Sequence, residues 1–72
     1  MRRVGPSEHR SADPVVLALL RELAEGRTTA EAAASCNVSK ATAWRRLEAL
    51  RHEWGVEHNI QLIVSAVRRG LI

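Results

Sequence analysis

At 72 residues, 46% of them apolar, the chain is long enough for one domain at the lower size limit of a self-supporting core, which excludes a multidomain enzyme within this length. The formal charge of +3 comes from 11 Lys and Arg against 8 Asp and Glu, and Lys40 is the one lysine among arginines whose forked heads fit phosphates and guanine edges. The lone cysteine, Cys36, excludes an internal disulfide; no apolar run reaches the ~20 residues of a membrane span, and polar residues follow Met1-Arg2-Arg3 where a secretory leader needs an apolar core, so a cytoplasmic protein without membrane contact is expected.

Residues 1–12 combine Gly5, Pro6, two serines and three arginines with almost nothing apolar, and read as a flexible basic arm. Arg2, Arg3 and Arg10 suit either a minor-groove contact or a merely solubilising leader. The remaining residues, 13–72, read as one all-α domain. Phe and Tyr are absent, Ala, Leu and Val suit close helix packing, and no alternating strand pattern occurs.

Asp13-Pro14 starts the first helix as an N-cap followed by a proline whose missing N–H costs nothing there. The helix is expected to run to about Glu25, with Val16, Leu17, Leu20, Leu23 and Ala24 inward, Val15 and Leu19 on a flank, and Gly26 as a left-handed stop. So wide an apolar arc suggests a protein partner on that flank. Thr28 and Glu31 form a capping box for a short second helix ending near Cys36, in which Ala32, Ala33 and Ala34 permit close approach of a neighbour. Asn37 tolerates positive φ and breaks that helix just before the cap Ser39.

Residues 39–54 carry the organising pattern. Ala43, Leu47, Leu50 and Trp54 recur with a period of ~3.6 and form the core side. Lys40, Ala41, Thr42, Trp44, Arg45 and Glu48 lie outward, followed by Arg51 and His52. Two helices joined by so tight a turn, the second basic and amphipathic, describe a helix-turn-helix whose partner is double-stranded DNA. Arg45 is placed to grip a guanine edge. Trp44 either meets a thymine methyl or swings in toward Ala32, and Glu48 either accepts from a cytosine amino group or pairs with Arg45 or Arg51.

Gly55 stops this helix, and Asn59 is expected to cap a fourth from Ile60 to about Arg69. Leu62 and Ala66 form one apolar arc that closes the core. Ile60, Ile63, Val64 and Val67, with Leu71, form a second, which is covered either by a second copy of the chain across a two-fold axis or by the first three helices.

Taken together, LLRELAEG, the spaced Thr28 and Glu31, NVS followed by Thr42, LEALRHEWGV and the closing QLIVSAVRRGLI resemble the DNA-binding domain of the LuxR family, also called the NarL or GerE type. The resemblance covers about Asp13 to Ile72. It implies a tetrahelical domain whose third helix enters the major groove and whose fourth makes a homodimer. It also implies phosphate contacts by Thr28, Lys40 and Thr42, base reading by Trp44, Arg45 and Glu48, and a phosphate role for Arg46, which stands where the family usually has histidine. The chain departs from the family at Val15-Val16-Leu17-Ala18, where charges are usual, and at Ala32 and Ala43, where larger aliphatics are usual and voids of ~1 kcal/mol or more each are expected. Trp54 in place of leucine fills such a void, and Ile60 replaces a polar residue. The sensor domain familiar from the family is missing, which fits a stand-alone regulator or an excised domain.

Catalysis has no support. His9, His52 and His58 share no ligand spacing with Cys36, which reads as a small buried apolar residue, and there is no phosphate loop or nucleophile motif, so no cofactor, metal or small-molecule substrate is expected. The alternative to DNA binding is a protein-interaction module that keeps the helix-turn-helix shape and uses its apolar first and fourth helices.

Overall fold

Asp13 sets the first helix in place: its Oδ1 accepts from the Val15 N–H at 2.8 Å, and Pro14 occupies the first turn. The computed structural model describes residues 13–72, so the expected basic arm lies outside the described residues. Four helices form: α1 (Pro14–Ala24), α2 (Thr29–Ser35), α3 (Lys40–Trp54) and α4 (Asn59–Arg68), with no strand among the described residues. The all-α, four-helix organisation read from the pattern is therefore the fold.

The start signals act as their chemistry requires. Thr28 Oγ1 accepts from Glu31 N–H at 3.1 Å and Glu31 Oε1 accepts from Thr28 N–H at 2.9 Å, the reciprocal capping box. Ser39 Oγ accepts from Thr42 N–H at 3.1 Å. The fourth helix differs from expectation. It begins at Asn59 with His58 in the cap position, and Gln61 Oε1 takes the N–H groups of Glu57 and His58 at 2.9 and 2.8 Å. Asn59 is not the cap because its side chain is engaged elsewhere, with Arg51.

The stops are equally specific. Gly26 ends α1 at φ 94, where Gly26 N–H reaches Leu23 O and Arg27 N–H reaches Glu22 O. Asn37 does the same for α2 at φ 62, with Asn37 N–H on Ala34 O at 3.1 Å and Val38 N–H on Ala33 O at 3.0 Å. These paired bonds satisfy carbonyls that a helix end would otherwise leave open. They also fix the angle at which the chain leaves α2 for α3.

The core joins Val16, Leu19 and Leu20 of α1, Ala32 and Ala33 of α2, Ala43, Leu47 and Leu50 of α3, and Leu62 and Ala66 of α4. Each fully buried leucine contributes about 1.5–3 kcal/mol of transfer free energy. The expected stripe of α1 is corrected here. Leu19 is fully buried rather than flanking, Leu17 and Leu23 are only partly buried, and Ala24 is exposed. The reason is that α1 packs against all three other helices, so its buried arc is centred on Val16, Leu19 and Leu20. Val15 and Leu17 pack against the same core, and α1 keeps no exposed large apolar side chain for the protein partner expected on its flank. Ala34 also faces water, so close approach in α2 rests on Ala32 and Ala33 alone.

Trp54 is half-buried at the end of α3, and the guanidinium carbon of Arg69 lies 3.9 Å from its ring centroid. Its indole Nε1 is buried without a hydrogen-bond partner among the described residues. The cation over the ring offsets part of that cost, since such a contact is worth about 0.5–2 kcal/mol.

Candidate nucleic-acid interface

The α2 brace and the outward side of α3 are built from opposite kinds of residue. Ala32 and Ala33 lie in the same buried cluster as Ala43 and Leu47, so two helix backbones meet with little between them. That contact sets the orientation of α3 and leaves its other side in solvent. Lys40, Ala41, Trp44, Arg45, Arg46 and Glu48 are all exposed there, and Thr42 is half-exposed.

Trp44 is 52% exposed and stands apart from the core, so the alternative in which its ring fills space beside Ala32 is excluded. One turn earlier, Ala41 gives the same face a low profile, which lets a ligand come close to the backbone. At the helix start the Ser39 hydroxyl is 3.0 Å from Thr42 Oγ1, and Arg45 Nη2 lies 3.5 Å from that same oxygen, a marginal contact. The Arg45 head therefore leans toward Thr42, in the first turn of α3. An anion approaching that end meets the positive end of the helix dipole, with Lys40 and Arg45 both exposed on the same helix. Thr28 is exposed at the start of α2, its oxygen used by the capping box and its O–H able to donate to an anion.

Two of the expected contact residues are committed within the domain. Arg46 Nη1 lies 2.6 Å from Asp13 Oδ2, which ties α3 to the start of α1. Both side chains keep a third or more of their surface, at 43% and 34%, so the remaining N–H groups of Arg46 stay accessible. Arg51 Nη1 donates to Asn59 Oδ1 at 2.5 Å, joining α3 to the start of α4, and Arg51 is only half-exposed. Asp13 and Asn59 are functional-site neighbours that sequence reading assigned only to capping. Nothing local marks them, because each meets its arginine across the fold.

The ion pair expected between Glu48 and Arg45 or Arg51 does not form among the described residues. Glu48 stays exposed on the same face as Trp44 and Arg45, with no partner among the described residues. On α4, Ile60, Val64 and Val67 are 63%, 42% and 57% exposed and form a stripe opposite buried Leu62 and Ala66. Ile63 departs from the expected second arc, since it packs against the core, as does Leu71.

Cys36 is half-buried. Burial, and secondarily the Glu22 carboxylate, push its thiol pKa up, which disfavours the nucleophilic thiolate. No cluster of His, Cys, Asp and Glu among the described residues is arranged to hold a metal ion, and no helix there is long and apolar enough to cross a membrane.

No curated protein and no solved structure matches the chain. A family model described as a helix-turn-helix domain matches residues 12–53, from the cap of α1 almost to the end of α3. With more than half of its length in that match and the brace, turn and outward basic helix in place, the chain belongs to the helix-turn-helix domain family, a DNA-binding kind of domain.

Proposed function

We propose that the chain is a sequence-specific regulator of transcription of the LuxR type, cytoplasmic, with residues 39–54 in the major groove of double-stranded DNA and a homodimer contact through α4. The observation that carries this reading is the exposure of Lys40, Ala41, Trp44 and Arg45 in the N-terminal half of a helix packed against α2, at the helix end where anions are favoured. On this reading Thr28, Lys40 and Thr42 hold phosphates, and Arg46 offers its free N–H groups to another. Arg45 takes a guanine edge, Trp44 and Glu48 face neighbouring bases, and Arg51 positions α3 against α4. Residues 1–12 act as a basic arm and residues 13–72 as the binding domain. Ile60, Val64 and Val67 cover one another across the two-fold axis, with half-sites one helical turn apart.

The test is selection of duplexes from a random pool, followed by titration of two variants against the selected and a mixed-sequence duplex. Arg45→Ala should abolish most of the preference, a loss of about five- to hundredfold on the selected site, because a bidentate guanine contact is sequence-bound. Lys40→Ala should weaken both duplexes alike and reduce the salt dependence by about one phosphate. Equal losses for both variants on both duplexes would overturn the assignment.

A further inference from the structure

We propose that Glu48 is a specificity filter: its carboxylate accepts from the exocyclic amino group of a cytosine in the major groove, and it repels any duplex that offers no such donor at that place. The inference rests on the DNA-binding reading above. Three observations carry it. Glu48 is exposed on the outward side of α3, one turn beyond Trp44 and three residues from Arg45. Neither neighbouring arginine pairs with it. Arg51 donates to Asn59, and the Arg45 head leans back toward Thr42, away from Glu48. The carboxylate consequently has no partner among the described residues.

An unpaired carboxylate on a face shaped for a polyanion is costly unless the groove supplies a hydrogen-bond donor. Phosphates, guanine N7 and O6, and thymine O4 are all acceptors, so each of them repels it. Two amino groups remain, on cytosine and adenine. Adenine sets its N7 acceptor directly beside its amino group, where a carboxylate meets a lone pair, whereas cytosine presents its N4 amino group next to a C–H. The charge therefore selects cytosine and penalises the rest.

This role separates specific from non-specific binding by sign, which no purely structural role does. In the duplex selected from a random pool by the wild-type chain, one position should require cytosine, with about five- to hundredfold loss for any other base. Glu48→Ala should remove that requirement and at the same time tighten binding to mixed-sequence duplex, about threefold at low salt and less as salt screens the lost repulsion. Glu48→Gln, which is isosteric and on an exposed position, should move the preference there toward adenine, because an amide both donates to N7 and accepts from the amino group. If both variants keep every base preference of the wild type, or bind mixed duplex no more tightly than it does, the filter is refuted while DNA binding stands. If the wild-type chain binds no duplex at low salt, the DNA-binding reading falls and this inference with it.

Discussion

One carboxylate serves two helices: Asp13 caps α1 through Oδ1, at 2.8 Å from Val15 N, and holds Arg46 of α3 through Oδ2, at 2.6 Å. Because α3 carries the candidate contact face, the entry of the chain into its first helix is mechanically joined to that face.

The two roles of Asp13 separate by substitution. Asparagine caps about as well as aspartate, so Asp13→Asn should lose only the ion pair, whose partners are partly exposed, at a cost of no more than about 1 kcal/mol. Asp13→Ala loses the cap as well and should cost about 1–2 kcal/mol in all. In thermal unfolding each kcal/mol reads as about 4–8 °C for a domain of this size. Raising the salt should narrow the gap between wild type and Asp13→Asn without changing the gap between the two variants.

The angle between α2 and α3 depends on Asn37 at φ 62. Alanine there must adopt a left-handed conformation against its Cβ, so Asn37→Ala should lower stability by about 1 kcal/mol, while Asn37→Gly should be close to neutral. Urea denaturation checks this through the midpoint, with an unchanged slope showing that the compactness of both states is preserved. A midpoint for Asn37→Ala equal to that of the wild type would mean that the turn is not held in this conformation.

Asn37 also marks what a sequence makes legible. The Asn37 break, the Thr28–Glu31 box, the Ser39 cap and the Gly26 stop are all encoded within a few neighbouring residues, and each forms as its local chemistry dictates. Leu19, Arg46 and Arg51 are set by partners 8 to 33 residues away or on other helices, and local pattern does not specify them. The periodicity of α1 admits a stripe on either side of Leu20, and only the packing of the other three helices around it selects Leu19. The outward face of α3 was legible in its composition. That Glu48 has no partner among the described residues was not, because it depends on where the Arg45 and Arg51 heads go.

Cys36 should behave as a protected thiol. Burial and the nearby Glu22 carboxylate both disfavour the thiolate, so alkylation by iodoacetamide at mildly alkaline pH should be slower in the folded chain than in the urea-unfolded one. Glu22→Gln should speed it by removing the smaller of the two causes. The linkage has a definite sign: the folded state holds the thiol proton more tightly, so this group leaves stability unchanged below the unfolded thiol pKa of about 8.5 and lowers it as pH rises beyond. A folded-state rate matching the unfolded rate would contradict the burial.

The exposed stripe of α4 gives the dimer proposal its own test. Ile60, Val64 and Val67 are all more than a third exposed, while Leu62 and Ala66 on the other side of the same helix are buried. Glutamate at position 64 therefore touches only what covers the stripe, whereas glutamate at position 66 enters the core with an unpaired charge. Val64→Glu should retain the thermal stability of the isolated domain, run as a single copy in sedimentation where the wild type runs as two, and bind a single half-site as the wild type does. Its affinity for a duplex carrying two half-sites should fall at least tenfold, because the second copy no longer binds at the raised effective concentration set by the first. Ala66→Glu should instead unfold the domain. A wild-type chain that sediments as one copy at tens of micromolar, both free and on a two-site duplex, would leave α4 without the proposed role.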